Sequence, residues 1–267
     1  FSPNTLFAEL SARKVSNPFI RGIGSSPSNP GVTTYIDGVP QLNANSSNIE
    51  LIDIEQIEFV RGAQSALYGR NALGGLVNIA TVRPSMTQWT SRIDAPLGTQ
   101  RERGIRGAMS GPLSGNSALG LAFGTRARDG FTVNDVTGNT LDDRSATFGR
   151  AQFVDMPTPR WETRFIFGGE RDRDGDYALN DLDEVRRNPY HAQRDVEGYT
   201  DRDIWSSTVL VRHEGPRFAF SSTTGGVWWE TRDFTDLDYS AMPILTRENV
   251  EKDTQFTQEF RFASSAQ

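Results

Sequence analysis

The sequence predicts a small mixed α/β domain followed by a run of antiparallel β-strands, and three features lead to that prediction. Residues 1 to 84 are rich in Gly, Pro, Asn and Ser, which punctuate short β-branched runs such as Val32 to Ile36 and Ile57 to Val60. From Thr87 onward, apolar residues recur at every second position, the period of a strand with two unlike faces. Turn-forming clusters separate about eight such segments after residue 86.

In the first region, Asp37-Gly38 is a strong turn signal after the strand Val32 to Ile36. Ile49 to Ile57 is expected to begin as a short helix before Glu58-Phe59-Val60 extends as a strand. Gln64 to Tyr68 predicts a further helical turn, stopped by Gly69. Gly62, Gly69, Gly74 and Gly75 permit positive φ and close backbone approach, as a compact domain with sharp reversals requires.

In the second region, Trp161, Thr163, Phe165 and Phe167 share one face, and Glu162 and Arg164 the other. Phe256, Phe260 and Phe262 likewise oppose Thr257, Glu259 and Arg261, and Leu119, Leu121 and Phe123 alternate with Ala118, Gly120, Ala122 and Gly124. Short links alternate with longer polar ones, and the longest, from Asp172 to about Arg202, is highly charged. That asymmetry suits a transmembrane barrel, but a soluble antiparallel sandwich uses the same alternation. Trp89, Trp161, Trp205, Trp228 and Trp229 fall near predicted strand ends and favour the barrel, where aromatic girdles mark the interfaces. A soluble sheet also buries such residues.

The chain of 267 residues is long enough for one large domain or two ordinary ones. Its 36% hydrophobic content and mean hydropathy of −0.51 exclude a helical membrane protein, which needs about 20 consecutive apolar residues per span. Barrel strands average out as hydrophilic, so hydropathy is blind to them. A net charge of −6 and a pI near 5.1 argue against a nucleic-acid partner. The absence of cysteine rules out disulfides and thiolate metal sites. Phe1 to Leu10 lacks a secretory signal, and both ends of the sequence read as cut.

Catalytic chemistry finds little support. No Lys-Ser/Thr follows Gly74-Gly75, so the glycine-rich stretch is no phosphate loop. His191 and His213 build no local triad or two-His metal spacing, so no catalytic residue is assigned. Glu170, Asp172 and Asp174, with Gly175 and then Asp181, nearly reproduce a calcium loop, with oxygen ligands at alternate positions, Gly sixth and a carboxylate twelfth. Glu in first place and the shorter Asp in last place depart from that pattern, and the flanks look like strands. Calcium in an extracellular loop is the one cofactor the sequence suggests. A charged, solvated loop is the plainer reading.

The stretch Ile57 to Ile79, IEFVRGAQSALYGRNALGGLVNI, closely resembles the late plug motif of TonB-dependent outer-membrane receptors. Phe19-Ile20-Arg21-Gly22 resembles the family's early plug motif, Tyr35 to Pro40 its central strand and turn, and Gln258 to Phe262 a recurring barrel-strand signature. The four occur in the family's order, and Ala63 stands where Pro is usual. The resemblance implies a mixed α/β plug domain over 1–84 with its start missing. It then implies antiparallel transmembrane β-barrel strands over 85–267, an incomplete barrel of about eight strands from an expected twenty-two or so.

It also implies turn and structural roles for Arg21, Gly22, Asp37, Gly38, Gly62, Gly69, Asn71, Gly74 and Gly75. Arg61 and Arg70, beside Glu58, are expected to latch the plug to a barrel glutamate, with Glu259 the natural partner. By position, Ser25, Ser26, Asn29, Gln41, Asn43 and Asn45 are candidate ligand-contact residues at the plug's apex, where turn chemistry is the simpler account. The implied function is import of a scarce nutrient, such as a ferric siderophore, another chelate or an oligosaccharide, by a non-enzyme in the outer membrane of a Gram-negative bacterium. Its partners are then TonB, the ligand and outer-membrane lipid. The alternatives are a passive or adhesive outer-membrane barrel, which would not need plug motifs, and a soluble calcium-binding β-domain.

Overall fold

The computed structural model describes residues 3–9, 12–13, 16–24, 30–64, 68 and 71–264. A short antiparallel hairpin, β1 (Thr5–Glu9) and β2 (Ser16–Ile20), comes first. Next come β3 (Val32–Ile36), β4 (Val39–Gln41), the one-turn helix α1 (Ala44–Ser47), β5 (Ile54–Arg61) and β6 (Gly75–Thr81). They form a four-stranded sheet of order β4-β3-β6-β5, in which β3 and β6 run parallel and the other pairs antiparallel. Ile20, Val32, Val77 and Ile79 make its small core.

Local sequence explains these elements. Asp37 and Gly38 both hold positive φ, 48° and 82°, the tight-turn geometry that joins β3 to β4. Gly75 has φ +139°, and a side chain there would run into the Val60 carbonyl of the paired strand, so the β5–β6 approach requires glycine. Arg21 and Asn71 also take positive φ, 53° and 68°. Gly22 and Gly62 do the same, whereas Gly74 is confined by Ile23 and Val32.

The helix expected at Ile49 to Ile57 is not there. One turn forms earlier, where Asn43 caps Asn45, and the whole of Ile54–Arg61 is strand. β-Branched Ile54 and Ile57 and the available edge of β6 decide that outcome against local helix signals. Tyr68 donates its N–H to Gln64 O at 3.0 Å, and residues 65–67 between them lie outside the described residues. Gly69, expected to stop that turn, lies outside the described residues.

The second part comprises β7 (Thr90–Asp94), β8 (Arg103–Pro112), β9 (Ser117–Arg128), β10 (Thr132–Asn134), β11 (Thr140–Leu141), β12 (Arg144–Thr158), β13 (Trp161–Gly175), α2 (Leu182–Arg187), β14 (His191–Ala192), β15 (Tyr199–Glu214), β16 (Phe218–Asp236) and β17 (Thr246–Ser264). Eight of these make one open antiparallel meander, ordered β17-β16-β15-β13-β12-β9-β8-β7. The links at 113–116, 159–160 and 215–217 are short and share one end. Those at 129–143, 176–198 and 237–245 are long and cap the other.

β10, β11 and β14 form a small sheet within the long-loop cap. Beside them, fully buried Arg194 reaches Asp176 Oδ2 at 3.3 Å and Asp236 O at 3.4 Å, and its guanidinium lies 4.9 Å from the centre of the Tyr239 ring.

The two faces of the meander differ as alternation predicts. Phe123, Phe165, Phe167, Trp205, Phe256, Phe260 and Phe262 are exposed on the outer face. Ala122, Phe148, Ile166, Ile204, Val227 and Trp229 are buried on the inner face, where the α/β part packs. Trp229 therefore faces the plug rather than a girdle, because it is one residue out of phase with outward Trp228.

Candidate functional site: the junction between plug and wall

Between Pro40 and Asp53 the backbone has little regular structure, so its polar groups need other partners. Wall side chains supply them. Gln255 Nε2 donates to Pro40 O at 2.6 Å, while its Oε1 accepts from Leu42 N at 3.1 Å. Arg202 donates to Asn45 O at 2.9 Å and Asn48 O at 2.7 Å, satisfying carbonyls that a one-turn helix leaves open. Glu50 N donates to Glu170 Oε2 at 2.7 Å, and Arg150 donates to Ile52 O and Asp53 O, both at 2.9 Å. Val39 fills a notch at Gly225, where an added side-chain carbon would lie 2.6 Å from both Val39 methyls.

A buried ionic cluster sits at the long-loop side of this segment. Arg202 pairs with Glu170 at 2.8 Å and Asp172 at 2.7 Å. Arg13 pairs with Glu50 and with Asp174 at 2.8 Å, and lies 3.9 Å from Asp172. Burial opposes the Arg13 charge, yet the fields of Asp172, Asp174 and Glu50 outweigh it and raise the guanidinium pKa above its ordinary value. Removing one member of such a cluster leaves an uncompensated buried charge.

Towards the short-turn side lies a second junction. Asp37 Oδ1 accepts from Thr81 N at 3.0 Å and from Thr81 Oγ1 at 2.9 Å. Arg164 donates to Thr81 Oγ1 at 2.7 Å, Thr81 O at 3.1 Å and Gln152 Oε1 at 2.9 Å. Asp37 thus ties its turn to the last plug strand, and Arg164, 3.8 Å from Asp37, joins Thr81 of that strand to the wall.

The structure does not bring Arg61 to Glu259. Exposed Arg61 donates to Pro3 O at 3.3 Å, and Glu58 accepts from Asn78 at 3.0 Å and Gln56 at 2.7 Å. Arg70 lies outside the described residues. Glu259 pairs with Arg261 on its own strand, whose guanidinium stands 5.8 Å from the centre of the Tyr68 ring. Tyr68 is itself held by Tyr35, whose hydroxyl donates to Tyr68 O at 2.8 Å. Among the described residues, the wall's contact with this plug motif runs through the Tyr68 ring, while Arg61, at the end of β5, reaches the backbone at Pro3. Tyr35, Asp37, Tyr68, Glu162, Arg164 and Glu259 border a cavity of about 560 Å³ between plug and wall.

Among the apical candidates, Gln41 is buried and donates to Val39 O at 3.2 Å, Asn43 caps α1, and Asn45 is buried against the wall. Ser25, Ser26 and Asn29 lie outside the described residues.

Glu170, Asp172 and Asp174 are not in a loop. They occupy alternate inward positions of β13 and face arginines, while Asp181 caps α2 by accepting from Asp183 N and Glu184 N. Among the described residues no three acidic or histidine side chains are grouped to hold a metal ion. The calcium-like spacing arises because two-residue alternation along a strand and along a calcium loop look alike in sequence. Sequence reasoning missed Arg13, Arg150, Arg202 and Gln255 as contacts. For the wall residues the available signal was an arginine or glutamine at an inward position, where only a partner on the plug satisfies it.

An open antiparallel wall with an apolar outer face and an α/β domain bonded to its inner face is the arrangement of a plug against part of a barrel. Residues 3–76 match the family model for the TonB-dependent Receptor Plug Domain. The chain belongs to the TonB-dependent receptor family, whose similar members are receptors and transporters rather than enzymes.

It is 32% identical over 178 residues to the pesticin receptor of Yersinia pestis, an alignment covering 63% of this chain and 24% of that protein. Over 136 residues it is 30% identical to the vitamin B12 transporter BtuB of Vibrio cholerae, covering 49% of this chain and 21% of that one. Among solved structures, the ferric yersiniabactin uptake receptor FyuA of Yersinia pestis superposes with a TM-score of 0.90 at 23% identity, covering 100% of this chain and 42% of that chain. The siderophore receptor PiuA of Acinetobacter baumannii gives 0.74 at 14% identity, covering 98% and 38%. These likenesses carry the fold. The alignments with the two curated relatives span about a quarter or less of their lengths.

Proposed function

We propose that the intact receptor imports a scarce nutrient, with a ferric siderophore as the leading class, across the outer membrane of a Gram-negative bacterium. The long loops then face outward, and TonB energises rearrangement of the plug. The observation that carries this reading is the plug backbone from Pro40 to Asp53 held on the wall's inner face by Gln255, Arg202, Glu170 and Arg150. A stopper bonded in that way blocks passive flow and must be displaced for a ligand to pass. A passive pore has no use for it. A soluble sandwich would cover the sheet's apolar outer face, which is bare among the described residues.

The siderophore assignment is supported by the similarity to FyuA and PiuA, and the B12 transporter makes cobalamin the competing cargo. The test is uptake of radiolabelled ferric yersiniabactin, ferric enterobactin and cobalamin by a deletion strain complemented with the full-length gene, with and without TonB. TonB-dependent uptake of either ferric chelate is expected. Uptake of cobalamin alone would move the cargo to the second class, and TonB-independent flux would overturn the active-import reading.

A further inference from the structure

The wall strands divide by how they meet the plug. β9, β12, β13, β15 and β17 bond to it directly, through Arg126, Arg150, Arg164, Arg202 and Gln255. Among the described residues, no hydrogen bond or ion pair joins the plug segment 40–54 to β7 or β8. A cavity of about 180 Å³ lies there instead, bordered by residues 51–54 of the plug and by Arg92, Asp94 and Arg106 of the wall.

Strand register explains why arginines converge on that space. Arg92 of β7 and Arg150 of β12 lie in one inward row with Ala108 and Ala122 between them. Arg106 of β8 stands in the next row, between Asp94 and Gly124. The small neighbours leave room for the long side chains, and a side-chain carbon at Gly124 would come within 3.1 Å of the Arg106 stem. Arg92 pairs with Asp94 at 2.9 Å, and Arg150 lies 3.7 Å from the Asp53 carboxylate. Three cations therefore meet two carboxylates.

Arg106 is the cation left over. Its guanidinium makes no hydrogen bond or ion pair with any described residue, and its buried Nε has no partner; the buried Nε of Arg150 has none either. On the plug side, the N–H groups of Leu51, Ile52 and Asp53 also find no acceptor among the described residues. Asp53 takes φ +52°, the left-handed backbone found in anion-binding nests of successive N–H groups. Burying an unpaired guanidinium is unfavourable, so the site calls for an anion. Adjacent wall positions do not supply one, because β9 offers glycine and the Asp94 carboxylate of β7 is taken by Arg92.

We propose that this cavity binds a small oxyanion, of the size of inorganic phosphate, which bridges residues 51–53 of the plug to β7 and β8. The paired N–H groups of Arg106 grip its oxygens, Arg92 and Arg150 add positive field from either side, and the backbone N–H groups complete the shell. The anion thus attaches the plug in the sector where direct bonds stop. This inference rests on the junction between plug and wall alone and requires no particular cargo.

The test titrates the full-length receptor, purified in mild detergent, with radiolabelled inorganic phosphate in equilibrium dialysis, and follows amide exchange at residues 51–53 by mass spectrometry. The wild type is expected to bind phosphate at one site and to exchange these amides at least threefold more slowly when it is bound. R106Q should bind about tenfold more weakly or worse and lose the protection, as expected for a missing charge-assisted pair. R186Q, an equal charge change on exposed α2, should match the wild type. Heat-shifted gel mobility checks that R106Q folds. If it does not, R106K, which keeps the charge but not the planar fork, should bind at intermediate strength.

A wild type that binds no phosphate would overturn the proposal, as would wild-type affinity in R106Q or R106K, or an equal loss in R186Q. So would a carboxylate of the receptor's own chain seated against Arg106 in crystals of the full-length protein. Binding without protection at residues 51–53 would overturn the bridge.

Discussion

Arginine–carboxylate pairs stand on both faces of the same strands, and their settings differ sharply. On the inner face Arg202 and Asp172 are each 1% exposed, whereas on the outer face Arg171 and Asp203 are 64% and 28% exposed. The inner pair is also tied to plug carbonyls at Asn45 and Asn48, so it spans two parts of the chain. The outer pair joins only adjacent strands. Identical chemistry thus performs opposite tasks. Buried, it orients the plug, because a lost partner strands a charge without water; exposed, it contributes little to stability and leaves its charge available to the surroundings.

The largest effect should follow from Arg202→Met. It leaves Glu170 and Asp172 without their shared cation and should weaken plug attachment by about 3–5 kcal/mol. Faster hydrogen exchange at Glu50 and Leu42 in the full-length receptor would show it, and unchanged exchange would remove the cluster's orienting role. Arg13→Gln should cost less, about 1.5–3 kcal/mol, since its partners Asp174 and Asp172 keep other neighbours. The same measurement at residues 16–24 reads it out. Gly75→Ala should destabilise the plug sheet by about 1–3 kcal/mol through its φ and the Val60 carbonyl.

A smaller, pH-dependent effect belongs to the long-loop cap. Burial raises the Asp176 pKa, against opposing bonds from Thr235 and the charge of Arg194. A carboxyl group whose folded pKa is raised binds its proton more tightly when folded. Its stabilising contribution is therefore full below the unfolded pKa and lost as pH rises through the folded one. Local protection of the cap should rise on acidification through that window, and Asp176→Asn should flatten the slope. The smallest effect is expected for Arg171→Gln, with no measurable change in unfolding midpoint. A clear drop would mean that the outer ladder staples strands in the way the inner cluster holds the plug.

Local signals predicted much of the fold. Asp37-Gly38 announced its turn, and the alternation around Phe165 and Phe260 assigned inner and outer faces residue by residue. The misplaced helix at Ile49 to Ile57 shows the limit, because the edge of β6, where Ile79 pairs with Ile57 and Thr81 with Ile54, outweighed local preference. The candidate site was less legible. Arg61, Arg70 and Glu259 were named through a motif. Among the described residues, the bonds between plug and wall use Arg13, Arg150, Arg164, Arg202 and Gln255, whose partners across the junction lie between 83 and 215 residues away.

By itself, then, the sequence determined the family, the two kinds of sheet and which residues of a strand share a face. Period, turn chemistry and motif order are local properties, readable one segment at a time. Only the tertiary structure decided that Glu170, Asp172 and Asp174 meet arginines on the inner face of the wall, and that Arg261, the ion-pair partner of Glu259, stands beside the Tyr68 ring of the plug. Those outcomes depend on which distant group arrives opposite a given side chain, and burial then makes each such pairing obligatory.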